Sequence, residues 1–182
     1  MEHKKIRRVV TGHDAAGKSR VVDDSDVEAI TTELMPGFAA YWLWGRDEHP
    51  TFPDDGSPDS AKAWFPPRDG SRFMINTIPP GELVPPPDLD VAAAVAELER
   101  QMPGVTAVQE PDTGGMHTTD TIDYVLIVSG EVTLELDGGE QRTLRAGDVV
   151  IQNGTRHAWH NHGTEPCTLV GIAIGADRIH PT

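Results

Sequence analysis

Apolar and polar residues alternate with a period of two over most of the chain, and that period predicts strands rather than helices. Residues 6–11 and 19–22 read as two strands joined by a turn. Residues 28–44 hold Phe38, Tyr41, Trp42, Leu43 and Trp44, with bulk on both faces of a strand, so cover is expected on both sides. Residues 71–78 resume as a strand, stopped by Pro79, Pro80 and Gly81. Residues 132–144 read as a hairpin around Asp137, Gly138 and Gly139. Residues 165–174 read as a closing strand, with Cys167, Leu169 and Gly171 suited to a tight wall.

One segment breaks the period. Residues 88–102 form helix readily, with Asp88 or Asp90 as the cap and Val91, Val95 and Leu98 on one stripe. Pro103 and Gly104 end it, and residues 105–108 lead into the next strands. Residues 45–70, rich in Pro, Asp and Gly, read as a long surface loop. Pro85 to Pro87 makes a stiff spacer, and residues 178–182 read as a loose tail.

Residues 116–161 hold the chemistry. Read as a strand, residues 117–123 place His117, Thr119, Thr121 and Asp123 on one face. Buried polar groups need partners, and a buried carboxylate needs a counter-charge or a metal. His157 follows later, with Trp159 and Asn161 at the same parity. His160 and His162 have the opposite parity and read as surface residues; His3, His13, His49 and His180 fall in loops or termini.

These stretches resemble the cupin superfamily. Its first motif is G, five residues, H-x-H, three or four residues, E, six residues, G; His117 matches the first His, Thr119 stands where the second should be, Asp123 replaces Glu, and Gly130 closes it. Gly147 opens the second motif, Asn153 replaces its Pro, and Gly154, His157 and Asn161 complete it with one residue of slack. The resemblance implies an all-β fold, a single cupin jelly-roll barrel over residues 104–176. Residues 1–87 would be an N-terminal β extension, 88–103 a helix and 177–182 a tail.

The resemblance also implies a divalent transition metal at His117, Asp123 and His157, iron first, with manganese, nickel or zinc also suited. Thr119 and Thr121 are the candidate catalytic hydroxyls beside it, and Trp159 is the candidate pocket wall. The implied activity is metal-dependent work on a small carbonyl or phenolic compound, by dioxygenase, decarboxylase or isomerase chemistry. The plainer alternative is a binding module without turnover, with His117 a satisfied barrel histidine and Asp123 bonded to Thr119 or Thr121. Trp159 likewise has a plain reading as a core aromatic.

Composition narrows this further. A chain of 182 residues suits one domain with an extension, and a formal net charge of −14 argues against nucleic acid and anionic membrane surfaces. Cys167 is the only cysteine, so no intrachain disulfide forms, which fits the cytoplasm. No apolar run approaches membrane length, and the start lacks the apolar core of a signal peptide. Residues 12–19 match the phosphate-loop pattern G-x-x-x-x-G-K-S, but the β-branched and acidic residues that follow argue for a hairpin turn. The aromatic residues 41–44 suggest a homodimer through the N-terminal strands.

Overall fold

A computed structural model of the chain describes residues 3–58 and 61–179. Its strands are β1 (Ile6–His13), β2 (Ser19–Val27), β3 (Ala39–Arg46), β4 (Ser71–Ile78), β5 (Thr121–Ser129), β6 (Glu131–Leu136), β7 (Gln141–Arg145), β8 (Val149–Asn153), β9 (His157–His160) and β10 (Cys167–Gly175). Helix α1 (Val91–Gln101) and the short α2 (Val105–Val108) lie between β4 and β5. Five strands form one sheet in the order β3-β4-β10-β5-β8, three form a second in the order β7-β6-β9, and β1 and β2 pair as a hairpin. Every strand pairing is antiparallel.

The two larger sheets bury Ile78, Val125, Ile127, Val132, Cys167 and Leu169 between them. Three strands cannot cover five. The uncovered inner face of β3, β4 and β10 is closed by Trp64, Leu98, Met102 and Val105, which join Ala40, Met74 and Ala173 in a second cluster. The N-terminal segment is therefore continuous with the barrel, because β4 pairs with β10 from Ser71 to Ile78. Where the chain leaves β5, Gly130 has φ 73°, and a Cβ there would stand 2.6 Å from the Pro166 carbonyl oxygen. Only glycine fits both constraints.

Residues 12–19 form the expected hairpin turn. A strand follows where a phosphate loop needs a helix, and the Asp14 carboxylate accepts from the N–H groups of Ala16 and Lys18 at 2.8 and 2.9 Å. β2 continues to Val27, beyond its expected end, because its acidic side chains are paired across the hairpin. Arg7 donates twice to Asp24, at 2.6 Å each, and Arg8 donates to Asp23 at 2.8 Å. The hairpin lies on the outer face of β3, where Ile6 and Val27 pack against Tyr41 and Leu43. On the other face Trp42 meets Trp64 edge to face at 5.4 Å. Trp44 is flanked by the guanidiniums of Arg8 and Arg46. The cover expected for this strand is thus supplied by its own chain.

Several expectations are corrected. Asp90 caps α1, accepting from the Ala93 N–H at 3.0 Å, and the helix starts at Val91. Its buried stripe runs through Ala94 and Leu98 to Met102, while Val91 is exposed. Residues 45–70 are not wholly a surface loop: Trp64 is only 5% exposed. The segment is held by the buried Arg72 guanidinium, which donates to the carbonyls of Ala63, Arg46 and Ser71 and pairs with Asp47. Residues 105–108 form a helical turn, held by the Glu99 carboxylate on the Gly104 N–H and the Thr106 hydroxyl. Arg178, expected in a loose tail, bonds the carbonyls of Thr119 and Gly154 and pairs with Asp120. Residues 180–182 of that tail, His180 among them, lie outside the described residues. Among the described residues, no helix is long and apolar enough to cross a membrane.

Candidate functional site in the barrel cavity

Main-chain bonds position the first two candidate groups. His117 and His157 face each other in an antiparallel bridge, each N–H donating to the other's carbonyl at 2.9 and 3.0 Å. Opposed residues in such a bridge send their side chains the same way, and the imidazole centroids are 4.3 Å apart. His117 Nδ1 lies 2.9 Å from the Gly115 carbonyl, and His157 Nδ1 lies 2.9 Å from the Thr155 carbonyl. A carbonyl only accepts, so each Nδ1 carries the proton and each Nε2 keeps a lone pair. Burial lowers the pKa of His117, and burial together with the neighbouring His117 ring lowers that of His157 to about 4. Both rings are neutral at pH 7.

The third group comes from β5. Asp123 lies between Ala173 of β10 and Gln152 of β8. Its Oδ1 is buried and has no partner among the described residues. Burial raises its pKa to about 6, opposed by a hydrogen bond from the Thr121 hydroxyl. Gln152 donates to the Thr155 carbonyl at 3.1 Å, so β8 supports the same carbonyl that orients His157.

These groups line a cavity of about 210 Å³. His117, Asp123, Gln152, His157 and Trp159 supply one part of its wall. Met35, Phe38, Trp64, Phe65, Met102 and Val105 close it from the N-terminal and helical segments. Trp159 meets His157 edge to face at 5.7 Å while also packing on the core, so both roles weighed for it are present.

The structure divides the candidate strand face. His117 and Asp123 line the cavity, whereas Thr119 and Thr121 are buried, hydrogen-bond each other at 2.7 Å and do not line it. The chain bends at residues 118–120 and regular strand begins at Thr121, so the alternation does not run unbroken from His117. Asn161 closes a turn, donating to the carbonyls of Ile78 and Glu165 and accepting from the Gly163 N–H, each at 2.9 Å. His160 is partly buried beside Glu135 at 2.9 Å and stacks on the exposed His162.

Sequence reasoning missed Gln152, although β8 alternation places it inward. It also missed Arg156, whose guanidinium spans Glu110 and Asp137 and ties the segment before His117 to the residue before His157. Long-range pairs of this kind leave no local pattern.

Two imidazole Nε2 atoms and an unpartnered carboxylate oxygen on one cavity are donors that iron, manganese, nickel or zinc accepts, so the residues fit such an ion chemically. Among the described residues, no three His, Cys, Asp or Glu side chains are grouped closely enough to hold a metal ion. The histidine pair is assembled, and Asp123 lines the same cavity from β5.

The cupin domain model matches residues 105–174. The chain is 32% identical over 154 residues to phomopsin biosynthesis cluster protein D of Diaporthe leptostromiformis, covering 85% of this chain and 69% of that one. It is 39% identical over 67 residues to the cupin-domain-containing oxidoreductase virC of Hypocrea virens, covering 35% and 34%. Among solved structures, the Cnp3 cupin domain of Schizosaccharomyces pombe aligns with a TM-score of 0.47 at 13% identity, over 95% of this chain and 88% of that one. With both histidine motifs set on an antiparallel double sheet, and with the family model and the sequence relatives agreeing, the chain belongs to the cupin family.

Proposed function

We propose that this chain is an enzyme that acts on one small organic molecule in the barrel cavity, with a divalent transition metal held by His117, His157 and Asp123. The observation that carries this reading is the pair of neutral imidazoles and the orphaned Asp123 oxygen on a wall otherwise largely apolar. Iron is the first choice of ion, with manganese, nickel or zinc able to use the same donors. The bound ion would supply Lewis-acid or oxygen-activating chemistry.

The chain's own residues do the rest. The Gly115 and Thr155 carbonyls fix the tautomer and direction of both rings. Thr121 steadies the Asp123 carboxylate, and Thr119 steadies Thr121, so the two hydroxyls act by positioning. Trp159, Trp64 and Phe65 exclude water and favour a flat, apolar body. A cavity of about 210 Å³ admits less than a drug-sized molecule. A small phenolic or enolic carbonyl compound fits it, and oxidative cleavage, decarboxylation or isomerisation fits the site, in that order. The oxidoreductase names of several relatives favour the first.

Iron-loaded protein assayed on a panel of such compounds, with oxygen uptake and product mass followed together, tests the reading. Turnover with oxygen uptake, abolished in His157→Ala, is expected. Turnover without uptake removes oxidative cleavage, and turnover undiminished in His157→Ala removes the metal. Binding without turnover leaves the non-catalytic binding module.

A homodimer also belongs to this reading, through a different surface from residues 41–44. The outward face of β4, β10, β5 and β8 presents Phe73, Ile172, Tyr124, Leu126, Ile151 and Val149, each 40–60% exposed. It carries no charged side chain in a chain of net charge −14. The patch amounts to roughly 500 Å² per copy, near the upper end of what monomers expose and close to the smallest stable dimer interface.

A further inference from the structure

Alternation along β4 sends Arg72, Met74, Asn76 and Ile78 inward. Arg72 is fully bonded to main-chain carbonyls and Asp47. Asn76 is not: its Oδ1 is buried without a partner among the described residues. It lines the cavity beside Phe38, Met74, Ile78 and Leu169, and none of these side chains offers an oxygen or a nitrogen. An orphaned buried carboxamide oxygen is unfavourable and calls for an explanation.

The sheet register places Asn76 far from Asp123, the cavity's third candidate donor. Asn76 faces Leu169 on β10, whereas Asp123 faces Ala173 on the other side of the same strand. Four residues of strand and two strand spacings separate them, about 13 Å along the sheet and about 10 Å across it. No single water or hydroxyl reaches both. The cavity thus has two polar ends with apolar wall between them: Met74, Val125, Leu169 and Ala173.

Resting on the cavity being a small-molecule site, we infer that Asn76 anchors the far end of the substrate, which carries a neutral hydroxyl distant from its reacting oxygen. A hydroxyl donates to Oδ1 and accepts from the amide nitrogen. A carboxylate only accepts, and would leave Oδ1 unsatisfied. The substrate class is therefore a phenol or enol with a second, remote hydroxyl.

A matched pair of probes tests this: 4-ethylphenol and 4-(2-hydroxyethyl)phenol, which differ by one hydroxyl. Binding is measured calorimetrically to wild-type protein and to Asn76→Leu, which nearly preserves shape. Wild type is expected to bind the hydroxylated probe about tenfold more tightly, and Asn76→Leu to lose that preference while keeping its affinity for 4-ethylphenol. Ligand-free Asn76→Leu is expected to melt a few degrees higher, because it removes an orphaned polar group. Equal binding of the two probes to wild type overturns this inference alone. So does a preference that survives in Asn76→Leu, or a variant that melts lower or fails to fold, since Asn76 would then serve the fold. Failure of both probes to bind wild type removes the small-molecule reading of the cavity, and the inference with it.

Discussion

The two faces of the five-stranded sheet are incomplete in opposite ways. Along β5, Thr121, Asp123, Val125 and Ile127 point inward, and Ile122, Tyr124, Leu126 and Val128 point outward. An antiparallel sheet with one solvated face normally reads apolar inside and polar outside. Here the inner face holds one Asp123 carboxylate oxygen and the Asn76 carboxamide oxygen without partners among the described residues, and the outer face holds exposed Tyr, Leu and Val. On the proposed function, the inner face suits a polar ligand and the outer face suits an apolar cover. The same strands answer both needs, because successive side chains belong to different environments.

The largest effect should come from emptying the inner face of its donors. His117→Ala combined with His157→Ala should reduce bound metal, measured by elemental analysis after iron loading, by at least about a hundredfold in affinity. Unchanged stoichiometry in the double variant would remove the metal centre from the comparison. Next comes the outer face. Ile151→Glu puts a charge in the middle of the patch, and light scattering at micromolar concentration should shift from dimer mass to monomer mass. A monomeric wild type would show instead that the outer face is stable uncovered.

A smaller effect is expected from the support behind the histidines. Glu110→Gln weakens the grip on Arg156, whose neighbour is His157. Metal affinity should fall about tenfold, with the fold retained by circular dichroism. The smallest effect concerns the helical cover of the inner face. The Thr106 hydroxyl and the main-chain N–H of Gly104 hold the Glu99 carboxyl below its ordinary pKa of 4.5. A depressed carboxylate contributes stability that is present above its unfolded pKa and is lost as pH falls through the lower folded value. Thermal melts should therefore show a component lost below about pH 4.5 in wild type and absent in Glu99→Gln. The variant should be roughly 1 kcal/mol less stable at pH 7.

Much of this was legible because strand period and motif spacing are local. Period two located every strand of the main sheet except β8, which, with β9, lay inside the motif reading. The spacing of His117, Asp123 and His157 predicted the groups that share the cavity. What escaped was set by contacts distant in sequence. β2 runs past its expected end at Val22 because the partners of its acidic side chains, Arg7 and Arg8, sit on the opposing strand. Trp64 looked like loop, and its burial depends on Arg72 and on a main-chain bond to Pro103. Thr119 was misplaced because a two-residue period cannot register the bend at residues 118–120, which Arg178 helps hold, whereas Thr121 points inward on β5 as expected but does not line the cavity. Asn76 carries no local mark at all: it is one polar residue in a strand, and only its missing partner sets it apart.

The bridge between His117 and His157 has a consequence for rewriting the site. It is made of two main-chain hydrogen bonds, so its spacing and direction belong to the backbone and not to imidazole. Any side chain installed at either position inherits the same adjacent, parallel projection into the cavity. Cysteine, aspartate or glutamate can be exchanged there as letters in a fixed frame, and the protein becomes a two-position template on which donor softness is varied while geometry is held constant.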